Sequence, residues 1–262
     1  MNVDRRQALD AFQEYVAAYD PSNPRIALKI DHTQRVAQLC ERVALSEGCS
    51  KADADLAWLL GLLHDIGRFE QVRRYNTYND AASVSHAALG AEVLFSEEGA
   101  GKPLVRAFVR DVGSDALIRT AVALHSDFRL PKSLDERTRF FCNVVRDADK
   151  IDIVRVNCAY SVQDIYGVSA EDMARSPLSP ECVELFYQHS CLPRNVRRYP
   201  ADILLGHICF AWELVFRESR RIMIEQGYLQ QMLRHQWTNE ETRVVFEAIE
   251  RHMLTELTRM SQ

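Results

Sequence analysis

The sequence predicts an all-α protein, and three observations carry this prediction. Glycine and proline, which interrupt helices, are both scarce, with 10 and 8 residues among 262. Apolar residues recur at helical spacing over residues 25–175, and no series of short alternating strands breaks that stretch. The segment LAWLLGLL is apolar on every side, which is typical of a central helix buried within a bundle.

The first part of the chain divides into three predicted helices. Residues 4–19 have the periodicity of an amphipathic helix. A second helix over residues 30–47 is expected to stop at Gly48, and a third, very apolar helix follows over about 51–65. Gly67 stands where a left-handed residue would end this third helix.

The next segment is more polar, and residues 68–83 are predicted to form a loop because they lack an apolar stripe. Further helices are then predicted from apolar spacing over residues 84–98, 102–112, 114–126 and 132–155.

The C-terminal part begins with a connection over residues 174–200 that carries several prolines and one short predicted helix, ECVELFYQHS. From Ala201 the chain is predicted to be helical again to about residue 259. We therefore expect two parts, a helical core with its N-terminal helix over 1–160 and a helical extension over 161–262 that packs on the core.

Composition excludes several classes of protein. The net charge of -5 argues against a generally basic surface that would coat nucleic acid. No apolar run approaches the roughly 20 residues of a membrane span, so a membrane is not an expected partner. The charged start MNVDRRQALDAF and seven cysteines without a CxxC spacing favour a reduced, cytoplasmic protein.

Six residues in the first part are candidate metal ligands because of their type and their helical contexts: His32, His64, Asp65, His86, His125 and Asp149. His32 and His86 are expected to open helices, and His64 and His125 to end them. Imidazole and carboxylate together suit iron, manganese, cobalt, nickel or zinc. A carboxylate buried among apolar residues is costly without a cation, so a metal centre within the bundle is predicted.

The ordered set of these residues resembles the HD superfamily of metal-dependent phosphohydrolases over about residues 25–160. The strings DHTQRVAQL, LLGLLHDIGRFEQ, SVSHAALGAEVLF and DADKIDIVRV carry the resemblance. It implies an HD-domain helical bundle with one or two divalent transition metal ions. His32, His64, Asp65 and Asp149 would hold the first ion. His86 and His125 would add the second ion, with Asp65 bridging both.

The resemblance also implies an activity, which is hydrolysis of a phosphoester in a small phosphorylated molecule by a metal-activated water. A nucleotide is the expected substrate class, by analogy with the superfamily. Asp65, Arg68 and Lys150 are the expected catalytic residues. Arg68, Lys150 and Arg129 are expected substrate-binding residues because cationic side chains pair with phosphate, and Tyr75 is expected to contact substrate from the loop that follows. The polar-aromatic loop from Tyr75 to Asp80 is expected to cover the site.

Alternatives remain open at this stage. The same six ligands are compatible with an HD-type di-iron oxygenase, and a non-catalytic HD module that binds a nucleotide is a further alternative. A nuclease acting on RNA is disfavoured by the acidic balance. The pair His125-Ser126 stands where some cyclic-dinucleotide phosphodiesterases of the superfamily carry two histidines, which argues against that activity. The extension offers apolar residues that could cover the site or form a homodimer interface, namely Trp212, Phe216, Trp237 and Phe246.

Overall fold

A computed structural model describes residues 3–96 and 102–261, and the chain divides into two compact units, Met1–Asp149 and Lys150–Gln262. Within those described ranges the regular structure is helical and no strand occurs. The predicted all-α fold is confirmed. None of the helices in the described part of the chain combines the length and the apolar character that crossing a membrane requires.

The first unit begins with four helices: α1 (Arg5–Val16), α2 (Pro24–Ser46), α3 (Lys51–Leu63) and α4 (Ile66–Tyr75). α2 begins before the expected residue 30. Proline fits the first helical turn, and the Asn23 side chain accepts a hydrogen bond from the Arg25 N–H. The break predicted at Gly48 is confirmed, since that residue has a φ of 74°.

α4 corrects the expected loop over residues 68–83, because helix continues to Tyr75. Gly67 was expected to have left-handed backbone at a helix end, and this prediction is wrong. The residue lies in the first turn of α4 and its φ is not positive. A Cβ added there would lie 2.3 Å from the carbonyl oxygen of His86 and 2.5 Å from the backbone nitrogen of Gly90. Glycine is required because another helix approaches its backbone closely.

The helix that approaches Gly67 is α5 (His86–Phe95). Three further helices complete the unit: α6 (Val105–Phe108), α7 (Asp115–Leu124) and α8 (Glu136–Ala159). The last of them, α8, continues into the second unit. α3 packs along α2, and α5 packs against both α4 and α7. The prediction of a central apolar helix is confirmed, since every residue of α3 from Leu56 to Leu63 is buried. α3 therefore forms the centre of the first unit.

The second unit contains the end of α8 and seven further helices: α9 (Val162–Tyr166), α10 (Ala170–Arg175), α11 (Pro180–Tyr187), α12 (Pro200–Ile208), α13 (Arg217–Glu225), α14 (Tyr228–Leu233) and α15 (Glu240–Ser261). α11 confirms the short helix predicted in ECVELFYQHS. The helical stretch expected over 201–259 is divided into four helices, with a break at Gly227, whose φ is 74°. That the second unit packs on the first stays a prediction.

Candidate metal centre

The structure brings all six predicted ligands together in the first unit, and we call them the histidine–aspartate cluster: His32, His64, Asp65, His86, His125 and Asp149. Five segments of the chain supply them, and the last of these is α8, which carries Asp149. His64 and Asp65 form the corner between α3 and α4, His86 begins α5, and His125 follows the last residue of α7. His32 lies in the middle of α2, which corrects the expectation that it opens a helix.

The carboxylate of Asp65 lies at the centre of the cluster. Its Oδ2 is 3.5 Å from the Nε2 atoms of both His32 and His64. Its Oδ1 is 3.5 Å from Nε2 of His86 and 3.6 Å from Nε2 of His125. Each oxygen therefore faces a different pair of imidazoles, which is the arrangement needed for a carboxylate shared by two cation sites.

Asp149 completes the side of the cluster that contains His32. Its Oδ1 is 3.1 Å from Nε2 of His32 and 3.7 Å from Nε2 of His64. Two overlapping groups have donor atoms close enough to hold an ion, namely His32 with His64 and Asp149, and His64 with Asp65 and His125. The cluster is largely buried. The side chain of Asp149 is 14% exposed, and that of Asp65 is 3% exposed.

Hydrogen bonds fix which nitrogen of each imidazole faces the cluster. Nδ1 of His64 lies 2.7 Å from the carbonyl oxygen of Gly61, and Nδ1 of His125 lies 2.7 Å from that of Val122. A carbonyl oxygen only accepts, so both Nδ1 atoms carry a proton and both Nε2 atoms face the cluster. These carbonyls belong to the last turns of α3 and α7, and helix C-termini also favour a nearby cation.

His86 is oriented by a carboxylate instead. Its Nδ1 lies 2.6 Å from Oδ2 of Asp80, and that aspartate also accepts from Arg68 Nη1 and Gln71 Nε2, each at 2.9 Å. Burial lowers the pKa of His86 to about 4 against the opposing effect of Asp80, so its ring is neutral near pH 7. A carboxylate behind an imidazole is a common support for a metal-binding histidine.

The cluster fits a divalent transition metal because its Nε2 atoms face one another. Nε2 of His86 is 3.0 Å from Nε2 of His125, and both side chains are buried. In the neutral tautomers with the proton on Nδ1, the two Nε2 lone pairs would face each other, an arrangement that a cation between them stabilises. The mixture of imidazoles and carboxylates is the donor set that iron, manganese, cobalt, nickel and zinc accept.

Two cationic side chains lie beside the same carboxylate. Burial would raise the pKa of Asp65, but Lys29, His64, His125 and Arg68 outweigh it and hold the pKa well below its usual value. Lys29 Nζ lies 2.5 Å from Oδ2 of Asp65, and Arg68 Nε lies 3.5 Å from Oδ1. Sequence reasoning missed Lys29, although its position one turn before His32 on α2 was a usable signal.

Because its ammonium occupies one edge of Asp65, Lys29 is expected to compete with a bound cation. Lys29→Met should raise the affinity for Mn²⁺ about tenfold, since one like charge near the ion is removed. Isothermal titration calorimetry of the metal-free protein measures this effect directly. The matched control is Lys132→Met, since Lys132 is an exposed lysine of the same unit. Unchanged or weaker Mn²⁺ binding in Lys29→Met would contradict the prediction.

Part of the expected covering loop lies at the rim of the cluster. Arg68 Nη1 donates to the carbonyl oxygen of Tyr78 at 2.8 Å, and the Tyr78 hydroxyl donates to the carbonyl oxygen of Arg25. Lys29 Nζ and Arg68 Cζ lie 5.5 and 5.4 Å from the centre of the Tyr78 ring. The loop is thus fastened to α2 and α4 by Tyr78 as well as by Asp80.

The remaining predicted residues are placed as follows. Tyr75 is exposed at the end of α4. Arg129 is exposed, and its guanidinium lies 4.5 Å from the ring centre of Phe128. Lys150 is half-buried and follows Asp149 on α8, at the start of the second unit. Roles for Tyr75, Arg129 and Lys150 in substrate binding, or for Lys150 in catalysis, stay predictions.

A further supporting residue was missed by sequence reasoning. Arg146 is 8% exposed, and its Nη1 lies within hydrogen-bond distance of the carbonyl oxygens of Leu124, His125 and Asp127. It therefore caps the C-terminal end of α7 and holds His125 in place. Its place on α8 three residues before Asp149 carries no distinctive sequence pattern, so only the tertiary contact reveals this role.

Comparison with known proteins agrees with the geometry. Residues 30–154 match the family model described as HD domain, a segment that spans all six residues of the cluster. No curated protein and no solved structure matches the chain significantly. The resemblance to the HD superfamily of metal-dependent phosphohydrolases is confirmed by this match over residues 30–154, a little under half of the chain.

Proposed function

We propose that the histidine–aspartate cluster holds two divalent transition metal ions and that the protein hydrolyses a phosphoester of a small phosphorylated molecule, a nucleotide in particular. The observation that carries the proposal is the position of Asp65, whose two oxygens face two separate pairs of imidazoles. The match to the HD-domain model supports the reaction class, metal-dependent hydrolysis. The choice of a nucleotide rests on analogy with that superfamily.

Some of these residues would bind the metal ions, and others orient the ligands. His32, His64 and Asp149 would hold one ion, and His86 with His125 the other, with Asp65 shared between them. A divalent cation supplies a Lewis acid, which polarises a phosphoryl oxygen and makes a water molecule more acidic.

Two cationic groups are available to bind a phosphate near the cluster. Arg68 Nε is buried and has no hydrogen-bond partner among the described residues, while its Nη1 is held by Tyr78 and Asp80. The guanidinium is therefore held beside Asp65, where its positive charge favours an anion near the cluster. Lys29 lies on the opposite oxygen of Asp65 and adds a second positive charge. The proposed substrate is therefore anionic, as a phosphate ester is.

The decisive experiment combines metal analysis with an activity screen. Elemental analysis of the purified protein should find close to two transition metal ions per chain. A screen with Mn²⁺ or Co²⁺ should then detect phosphate release from nucleotides, run beside sugar phosphates under air and under nitrogen. Activity on nucleotides that persists without oxygen is the expected result.

His64→Gln should lose the ion that His32, His64 and Asp149 would hold, and the activity with it, because His64 Nε2 lies on that side of the cluster. The matched control is His207→Gln, since His207 is a histidine of the second unit and not part of the cluster. Burial lowers the pKa of His207 to about 3. Two iron ions with oxygen consumption and no phosphate release would favour the di-iron oxygenase. Activity that is unchanged in His64→Gln would overturn the proposed site.

The same proposal includes a cytoplasmic location and a homodimer formed through the second unit. The seven cysteines are all free thiols, which is typical of proteins in a reducing compartment. Sedimentation equilibrium tests the dimer, and a monomer at micromolar concentration would contradict it.

A further inference from the structure

Tyr78 contacts both of the cationic side chains that flank Asp65. Lys29 Nζ lies over its ring at 5.5 Å from the ring centre, and Arg68 Cζ lies over it at 5.4 Å. Both distances are within the about 6 Å over which the negative face of an aromatic ring attracts a cation. The carbonyl oxygen of Tyr78 also accepts from Arg68 Nη1 at 2.8 Å. One residue thus contacts both cations, with its ring and with its backbone.

The two cations lie at different oxygens of the same carboxylate. Lys29 Nζ is 2.5 Å from Oδ2 of Asp65, and Arg68 Nε is 3.5 Å from Oδ1. Their side chains are only 13% and 14% exposed. Because little water screens them, both charges attract an anion at the rim of the cluster more strongly than surface charges would.

The ring of Tyr78 is itself held against the start of α2. Its hydroxyl donates to the carbonyl oxygen of Arg25, and Arg25 Nη1 donates to Oδ1 of Asn76 at 2.9 Å. Asn76 ends α4 with a φ of 49°, a left-handed backbone that asparagine adopts more readily than most residues. The chain is therefore fastened at residues 76 and 78, and the ring is in place before any ligand binds.

An aromatic ring holds a cation in a way that suits anion binding. The face of the ring attracts an ammonium or a guanidinium but carries no net charge, so the cation keeps its charge for a ligand. A carboxylate partner would cancel that charge. Lysine and arginine side chains also lose conformational entropy when they bind an anion, and this loss is smaller if a contact already restrains them.

We propose that Tyr78 is a positioning residue, whose ring holds Lys29 and Arg68 so that they bind one phosphate group of the substrate together. For the identity of its ligand, this role rests on the function proposed above, in which the substrate carries phosphate. Tyr78 acts through the two cations and not on the reacting atoms. The alternative is that Tyr78 only fastens the loop, through its hydroxyl and its carbonyl oxygen.

Calorimetric titration of the Mn²⁺-loaded full chain with inorganic phosphate tests the role of the ring. Tyr78→Leu should raise the Kd for phosphate about tenfold, an effect that two cation–π contacts together can supply. Tyr78→Met should do the same, and it serves the test if Tyr78→Leu folds poorly. Tyr78→Phe keeps the ring and should stay within about twofold of the wild type. The matched control is Tyr187→Leu, since Tyr187 is an exposed tyrosine of the second unit.

Two further readouts separate the ring from the fastening of the loop. A fastening role predicts that Tyr78→Phe, which loses the hydroxyl bond to Arg25, weakens phosphate binding as much as Tyr78→Leu. It also predicts weaker Mn²⁺ binding, because Asp80 of the same loop orients His86. We expect unchanged Mn²⁺ affinity in both variants. Equal losses of phosphate affinity in Tyr78→Phe and Tyr78→Leu would overturn the role of the ring.

A double variant tests whether the ring acts through Lys29. In a Lys29→Met background, Tyr78→Leu should weaken phosphate binding by less than it does in the wild type, because one of the two contacts is already absent. Full additivity of the two substitutions would contradict the proposal.

Phosphate binding needs no turnover, so the outcome is separate from that of the activity screen. If no phosphoester is hydrolysed but phosphate binds with the expected differences, the proposed function fails and the role of Tyr78 stands. If nucleotides are hydrolysed while Tyr78→Leu binds phosphate as the wild type does, the role of Tyr78 fails and the function stands. A wild type without affinity for phosphate would also overturn this role. With an active substrate, Tyr78→Leu should raise KM and leave kcat nearly unchanged.

Discussion

Asp65→Ala is expected to reduce phosphohydrolase activity by about a thousandfold or more and to remove the bound metal. The Lewis-acid contribution of a metal amounts to several kcal/mol of barrier, and about 1.4 kcal/mol corresponds to a factor of ten. Asp65 is the only residue of the cluster whose two donor atoms face both pairs of imidazoles. Its removal therefore affects both cation sites, whereas loss of His86 or Asp149 affects one.

The measurement should separate loss of metal from loss of folding. Metal content by elemental analysis, kcat and KM for the best substrate, and far-ultraviolet circular dichroism are measured on the same preparation. Asp152→Asn is the matched control, because Asp152 is a buried aspartate on α8 that pairs with Arg155 at 2.9 Å and is not part of the cluster. It should keep the metal even if it melts at a lower temperature. Full metal content and activity in Asp65→Ala would show that the cluster is not the active centre.

The same substitution should also destabilise the metal-free protein. Lys29 has a side-chain exposure of only 13%, and its ammonium lies against Asp65. Removing one partner of a buried ion pair leaves the other charge without compensation, at a cost of about 3 kcal/mol. The double variant Lys29→Met with Asp65→Ala should recover part of this loss, which distinguishes the charge effect from a lost packing contact.

Gly67→Ala is expected to lower the free energy of unfolding of the first unit by about 3 kcal/mol. This is the upper end of the usual cost of adding a methyl group to a tightly packed site. The added Cβ would lie 2.3 Å from the carbonyl oxygen of His86 and 2.8 Å from Cα of Gly90. These are backbone atoms of α5, so α4 and α5 must move apart. Because His86 begins α5, its imidazole should move as well, and metal binding should weaken.

Urea denaturation followed by circular dichroism measures the stability change, and calorimetry measures the metal affinity. Gly113→Ala is the control, since Gly113 is exposed and a Cβ there would meet only the side chain of Asp111, at 3.2 Å. That variant should stay within about 0.5 kcal/mol of the wild type, as is usual for surface substitutions. Equal stability of Gly67→Ala and Gly113→Ala would mean that the approach of α4 to α5 is not tight.

The cluster was predictable from sequence because its residues have distinctive types in distinctive contexts. The predictions that His86 starts a helix and that His125 ends one are confirmed. α4 was not predictable in the same way, because hydropathy detects a helix by its apolar stripe. The buried face of α4 is partly polar, with Glu70 paired to Arg73 and Arg74. Such a face is stabilised by partners that no pattern of hydropathy reveals.

The residues that orient the ligands show the same difference between what the sequence reveals and what only the structure reveals. Asp80 lies six residues before His86 and contacts its Nδ1 only because the intervening turn folds back. Arg146 reaches the end of α7 from α8. Lys29 was in principle accessible, since it is one helical turn from His32, but its pairing with Asp65 crosses from α2 to the corner between α3 and α4. Each of these contacts depends on how helices are placed in space.

The order of residue types along the chain was enough to establish a helical protein, a buried central helix and six donor side chains suited to metal. Local chemistry decides these features, because helical periodicity and the cost of burying a carboxylate act within a few residues. Tertiary structure alone decided that the two oxygens of Asp65 face different imidazole pairs. It also decided that a lysine lies against this carboxylate and that a helix approaches the backbone of Gly67. These depend on distances between segments far apart in sequence, which are set by packing and not by local preference.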